Sequence, residues 1–180
     1  MEYINGSTPI KSIFKGSNLV YQVEESSGDE SIVLTFNSLP QGFNIGGYTE
    51  TATTANSIDN GDGTYTYTTT LEEMGWTTVK PTSYQQSFAN SSLIKLNNLP
   101  FSSSITNTNM MFYNCVSLNE INAKGWNVSN VTSYIYMLDG CTSLNKLILG
   151  SVSQSTYDWW YSRLTDAGIQ NNVTIEYTIV

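Results

Sequence analysis

This sequence predicts a β-rich α+β fold organised around a short solenoid, and three observations lead there. The first is an internal repeat: Met111-Phe112-Tyr113-Asn114-Cys115-Val116-Ser117-Leu118 aligns without gaps with Met137-Leu138-Asp139-Gly140-Cys141-Thr142-Ser143-Leu144, 26 residues further on. A weaker copy, Phe88-Ala89-Asn90-Ser91-Ser92-Leu93, precedes Phe112 by 24 residues. The second is the apolar spacing after each leucine: Leu93, Leu96 and Leu99, then Leu118, Ile121 and Ala123, then Leu144, Leu147 and Leu149. A unit of 24–26 residues with such a strand has the length and pattern of a leucine-rich repeat. The third is strand-like sequence before the repeats and a helix and strand after them, suited to covering the apolar ends that a stack of coils exposes. The expected fold is a leucine-rich-repeat-like solenoid of about two and a half coils, capped by a β-hairpin region on the N-terminal side and a helix plus strand on the C-terminal side.

The chain then divides into four parts. Residues 1–23 read as two short strands with turns at Asn5-Gly6 and Gly16-Ser17, where glycine supplies the positive φ of a tight turn. So short a hairpin cannot bury a core alone, so it is expected either to pack on the rest of the chain as an edge hairpin or to dock on another subunit or a virion. Residues 24–31 are acidic and small and read as a solvated linker or loop. In the β-region, residues 32–80, Ile32, Leu34 and Phe36 alternate as a half-buried strand requires. Thr- and Tyr-rich strands at Tyr48–Ile58 and Thr64–Leu71 flank Asn60-Gly61-Asp62-Gly63, a hairpin turn in which Tyr65 and Tyr67 share a face.

Residues 81–180 hold the repeats and their C-terminal cap. Strands are expected near 94–97, 119–123 and 145–149, joined by short helices or 3₁₀ turns at Asn109–Asn114 and Ser133–Asp139. A helix is expected over 154–167, with Ser155 or Thr156 at its start and Gly168 just past its end. Tyr157, Trp160, Tyr161 and Leu164 form its apolar stripe, and Trp159 lies on the flank. Val173 to Val180 alternates as a closing strand.

Composition narrows the function. Fifteen acidic against seven basic side chains give a net charge of −8, which disfavours nucleic acid and anionic membrane surfaces. No apolar run reaches the roughly 20 residues that span a bilayer, so no membrane insertion is expected. Met1-Glu2-Tyr3-Ile4-Asn5-Gly6 reads as a start without a secretory signal. The chain has no histidine, the commonest general base and metal ligand, and neither G-x-S-x-G nor a phosphate loop is present. Asp59-Asn60-Gly61-Asp62-Gly63 lacks the ligand spacing of a calcium loop and reads as a turn. Paired carboxylates of glycosidase type find no candidates, since Glu72 and Glu73 point apart and Asp139 and Asp158 match no pattern. The expectation is a protein that is not an enzyme and holds no cofactor or metal.

Cys115 and Cys141 occupy equivalent repeat positions. Adjacent strands about 4.8 Å apart would permit a disulfide, yet stacked side chains pointing the same way favour a buried ladder of free thiols. The sequons at Asn5, Asn90, Asn127, Asn130 and Asn172 read as composition, with Asn130 expected to bond main-chain groups inside a coil.

Met111-Phe112 to Cys115, Ser117-Leu118, and Gly125-Trp126-Asn127-Val128-Ser129-Asn130-Val131-Thr132 followed by Met137 and Cys141 resemble the BspA-like leucine-rich repeats of bacterial surface proteins and phages. Asn127 and Val128 stand where that family often has Asp and Thr, and the resemblance covers roughly residues 84–150. It implies surface recognition and brings no catalytic residues. Residues 4–21, Ile4-Asn5-Gly6-Ser7-Thr8-Pro9-Ile10-Lys11-Ser12-Ile13-Phe14-Lys15-Gly16-Ser17-Asn18-Leu19-Val20-Tyr21, are similar to short N-terminal modules of phage tail and fibre proteins, which implies a virion component.

The expected repeat core is Leu93, Leu96, Phe112, Cys115, Leu118, Ile121, Trp126, Val131, Met137, Cys141, Leu144 and Leu147. Candidate docking residues are Ile4, Ile10, Ile13, Phe14, Leu19, Val20 and Tyr21, and Trp159 is a candidate interface residue. The expected role is a structural or receptor-binding component of a phage virion, a head or tail fibre. It would be a homo-oligomer, trimer or dimer, that meets other virion proteins and a cell-surface polysaccharide or protein. The alternative is a bacterial surface adhesin that binds host protein or glycan.

Overall fold

In the computed structural model, which describes residues 10–15, 18–24, 31–76 and 80–180, the elements follow in the order β1 (Ile10–Lys15), β2 (Asn18–Glu24), β3 (Ile32–Phe36), β4 (Gln41–Ile45), β5 (Tyr48–Ala52), β6 (Ile58–Asp59), β7 (Tyr65–Thr69), β8 (Leu93–Asn97), β9 (Glu120–Asn122), β10 (Lys146–Val152), α1 (Gln154–Asp166) and β11 (Thr174–Ile179). The chain divides into two units, residues 1–30 and 31–180. In the first, β1 and β2 pair antiparallel, with Ile10 opposite Glu24 and Lys15 opposite Asn18.

The second unit is built on one seven-stranded sheet, ordered β11-β10-β9-β8-β3-β7-β6. Strands β8 to β11 run parallel, while β3 pairs antiparallel with both β8 and β7. A separate two-stranded sheet joins β4 to β5. This corrects the expected fold class. The chain does not form a leucine-rich-repeat-like solenoid with a β-hairpin cap beside it; it forms a mixed sheet in which the segment before the repeats is a full member. The physical reason lies in β3. Its main chain bonds to the first repeat strand, with Leu34 opposite Leu96, so the edge that a solenoid would present is consumed by pairing. Ile32, Leu34 and Phe36 are wholly buried together with Leu93 and Leu96 in one core.

Away from the sheet, successive repeats are joined by a second set of hydrogen bonds. Where short helices or 3₁₀ turns are expected, the chain makes overlapping turns: Met111, Tyr113 and Cys115 donate N–H to the carbonyls of Thr108, Met110 and Phe112 at 3.0–3.1 Å. The alternate residues Thr108, Met110, Phe112 and Asn114 donate to Ser133, Ile135, Met137 and Asp139 of the next repeat at 2.7–3.0 Å. Tyr84, Gln86, Phe88 and Asn90 bond in the same way to Asn107, Asn109, Met111 and Tyr113 at 2.8–2.9 Å. Polar main chain beside a core must be paired somewhere, and these turns divide it between the repeat's own carbonyls and its neighbour's.

The turns need left-handed residues at fixed places. Asn90, Asn114 and Gly140 have φ of 59°, 56° and 80°, and they align across the repeats. The Asn114 amide donates to Asn90 Oδ1 at 3.0 Å, but a Cβ on residue 140 would stand 2.9 Å from Asn114 Cα. Glycine is therefore required in the third copy.

Inside the stack, equivalent side chains meet. Phe88 lies on Phe112 with centroids 5.6 Å apart and planes 6° from parallel, and Leu118 and Leu144 are both buried. Helix α1 packs on this core through Trp160 and Leu164, which are fully buried. Its cap is Ser153, whose Oγ accepts from Thr156 N–H, rather than Ser155 or Thr156. Gly168 takes the left-handed position past its end. Tyr161, expected in the stripe, is exposed, and Arg163 is buried instead.

Leu118→Ala and Leu144→Ala should each lower stability by about 2–5 kcal/mol, as buried large-to-small changes do. Gly140→Ala should cost about 1–3 kcal/mol through its φ and the Asn114 contact. Urea denaturation of the three variants checks both.

Candidate recognition groove

Three short segments meet at the start of α1. One is the Gly125–Ser129 loop after β9, turned by the positive φ of Gly125, 78°. Another is the Ser151–Ser153 end of β10, and the third is the first turns of α1, which bring Ser155, Thr156 and Trp159. Between them lies an open groove of about 680 Å³. The loop is pinned from both sides: Asn127 N–H donates to Phe101 O at 2.9 Å, and the Asn130 side chain donates to Ser103 O at 2.8 Å. Asn127 Oδ1 in turn accepts from the N–H and hydroxyl of Ser129 at 3.1 and 2.7 Å.

Behind the groove is an aromatic wall. Trp126 stacks on Phe101 with centroids 4.5 Å apart and sits 5.6 Å from Trp160. Trp159 meets Trp160 edge-on at 5.2 Å and Tyr134 at 6.1 Å. The Arg163 guanidinium lies 3.6 Å over the Tyr134 ring and is bonded to Asp166 at 2.8 Å, so a buried charge is paired and stacked rather than left alone. The indole Nε1 atoms of Trp126 and Trp159 are buried without a partner among the described residues. These side chains thus offer ring surface rather than an N–H donor.

The groove carries no charge: its walls are Trp, Val, Gly, Asn, Ser and Thr among the described residues. A smaller one, about 250 Å³, is lined by Tyr134–Asp139 with Arg163 and Asp166 and is charged. The first can place hydroxyls and an amide around a neutral polar ligand and lay the Trp159 ring against an apolar face.

The expected core residues Leu93, Leu96, Phe112, Cys115, Leu118, Ile121, Trp126, Val131, Met137, Cys141, Leu144 and Leu147 are all buried. Trp159, the candidate interface residue, is partly buried and lines the groove. Of the candidate docking residues, Ile10, Ile13 and Phe14 lie in β1 and Leu19, Val20 and Tyr21 in β2, while Ile4 lies outside the described residues. Asp59 and Asp62 are turn acceptors, bonded to Gly61 N–H at 2.8 Å and Thr64 N–H at 3.0 Å. The hydrogen bonds from Thr64 hold the Asp62 carboxyl below its ordinary range. Sequence reasoning missed Ser151, Ser153 and Thr156 as groove residues, because only the fold brings the β10 end beside the Asn127 loop. It also missed Arg163, whose one signal is a charged residue between the buried Trp160 and Leu164.

Cys115 and Cys141 are free and buried, in the stacked arrangement expected. Their Sγ atoms point to the carbonyls of Phe88 and Phe112 at 2.9 and 3.1 Å, and Ser91 stands at the matching place in the first repeat, 3.7 Å from Cys115. Burial pushes both thiols above their ordinary value, and Cys115 adds to the effect on Cys141.

The fold defines a mostly-sheet protein assembled from short repeats and bearing an open neutral groove. The chain belongs to the DUF285 family, described as Mycoplasma protein of unknown function, which matches residues 64–167. This family is related to the BspA-like repeat proteins. No curated protein and no solved structure matches the chain.

Because the folded protein keeps its thiol protons above the ordinary value of 9.0, the unfolded chain releases them first. Stability should be unaffected by these groups below that pH and fall as pH rises past it. Melting temperatures from roughly pH 8 to 9.5 read this, below the range in which the raised phenols of Tyr67, Tyr84 and Tyr157 add a loss of the same sign. Thiol titration without reductant should find two free groups after denaturation and almost none before.

Proposed function

We propose that this chain is a non-enzymatic recognition component of a phage virion, held through residues 1–23 and meeting neutral cell-surface polysaccharide in the groove at the start of α1. The observation that carries the reading is the lining of that groove, with Trp159 beside Asn127, Ser129, Ser153 and Thr156 and no charged side chain. Sugar rings pair an apolar face with a rim of hydroxyls. An aromatic surface bordered by small donors and acceptors meets both at once. The net charge of −8 acts in the same direction by disfavouring anionic ligands. A two-stranded hairpin such as β1–β2 is marginal alone, which suits a segment completed by a partner.

Relationship to BspA-like repeats favours a second reading, a bacterial surface adhesin that binds host protein or glycan through the same face. The two differ in what residues 1–23 do. On the virion reading, deleting them leaves a folded protein that no longer enters particles; normal incorporation of the truncated protein removes that reading.

A panel of immobilised neutral and acidic polysaccharides tests the groove. Trp159→Ala and Asn127→Ala should each weaken binding to a neutral glycan roughly tenfold, about 1.4 kcal/mol, with the circular dichroism of each variant unchanged. Retention of full affinity by both variants would overturn the assignment.

A further inference from the structure

The two edges of the seven-stranded sheet are unequal. One is β6, only two residues long, which runs straight into the Asn60-Gly61-Asp62-Gly63 turn. The other is β11, six residues, Thr174-Ile175-Glu176-Tyr177-Thr178-Ile179, with neither proline nor lysine. Exposed edges of ordinary proteins are kept short, charged or interrupted because an open row of N–H and C=O groups recruits another strand. Here the single charge, Glu176, is already engaged by Lys146 at 3.0 Å. Apolar surface accompanies the open row: Tyr177 and Ile179 are 44% and 43% exposed, and the Tyr177 ring continues into Tyr157 at 4.4 Å and Tyr161 at 6.0 Å beyond it.

We propose that a second copy of this chain docks on β11, edge to edge and antiparallel about a two-fold axis. The direction of the main chain selects the register. Thr174 N–H bonds to Asn145 O and Val180 N–H to Val152 O, both towards β10. Since these groups alternate along a strand, Ile175, Tyr177 and Ile179 turn theirs outward. An antiparallel pair centred on Tyr177 sets Tyr177 opposite its own mate and Ile175 opposite Ile179. All three outward residues then exchange both hydrogen bonds with the partner, and aromatic and β-branched side chains stand across from one another. Glu176 falls opposite Thr178. Centring the pair on Glu176 instead would oppose two carboxylates, which is unfavourable.

The same asymmetry fixes the size of the assembly. Within this sheet, head-to-tail growth would have to join β11 of one copy to the two-residue β6 of the next, whereas β11 with β11 closes at two.

Light scattering on the full chain from roughly 5 to 200 µM should show a species of twice 19.9 kDa. Tyr177→Lys, which brings two like charges together on the axis, should raise the dissociation constant more than about tenfold while the circular dichroism stays unchanged. Oxidation of Tyr177→Cys should link two chains, because the pair at the axis is about 5.5 Å apart between Cα atoms. Thr174→Cys, well off the axis, should not link. A monomer at every concentration, an assembly larger than two, a dimer indifferent to Tyr177→Lys, or equal cross-linking through Thr174→Cys would each overturn the proposal. The cysteine pair decides the matter even if Tyr177→Lys fails to fold.

Discussion

Each repeat in this protein leaves half of its turn's main-chain polar groups for its neighbour to satisfy. The N–H groups of Thr108, Met110, Phe112 and Asn114 have no acceptor within their own repeat and find it in the carbonyls of residues 133–139. An unpaired buried amide costs about 1–3 kcal/mol, so one repeat could not hold this turn alone. The constraint passes to the side chains. Only if turns stack in register can the alternate amides meet carbonyls, and that register also brings Phe88 over Phe112 and places Ser91, Cys115 and Cys141 at one depth in the core.

Stacking has to stop, and the chain stops it differently at its two ends. Before the first repeat, Asn44 N–H bonds to Ser87 O, and β3 pairs with β8, so strand-forming sequence takes over as partner. After the third, α1 bonds within itself, and the ladder has no further rung. What the helix supplies is packing: Trp160 and Leu164 fill the core, while Arg163 covers Tyr134 and is neutralised by Asp166. The groove is a by-product of this second solution. A helix that begins at Ser153 cannot follow the path of the Asn127 loop, and the space between the two is open and lined by small polar residues.

Legibility in the sequence followed how local each signal was. The repeat period and the leucine spacing announced β8, β9 and β10, since a strand's apolar side chains sit at fixed intervals whatever lies beside it. The hairpin turn at Asn60–Gly63 and the helix ending at Gly168 were equally readable, because glycine's positive φ is a local demand. Pairing was not. Nothing in Ile32-Val33-Leu34-Thr35-Phe36 says that it will lie antiparallel to a repeat strand some sixty residues away, and on that pairing the expected solenoid gave way to a mixed sheet. Trp159 could be placed on the flank of its helix by angle alone, but its neighbours in the groove come from three separated segments, and no spacing relates them.

The antiparallel insertion of β3 has a consequence for how the protein can meet others. A purely parallel stack of repeats has two similar edges and can be extended at either. By starting the sheet with β6, β7 and β3, the chain replaces one of those edges with a two-residue strand and a tight acidic turn, where Asp59 and Asp62 are committed to main-chain amides. The longer of the sheet's two edges is then the opposite one, β11, beside the tyrosines of α1. The groove at the start of α1 opens beside the Ser151–Ser153 end of β10, the strand that pairs with β11. The long sheet edge, the Tyr157–Tyr161–Tyr177 cluster and one wall of the neutral groove thus lie on β10, α1 and β11, while the other wall comes from the Asn127 loop of the repeats.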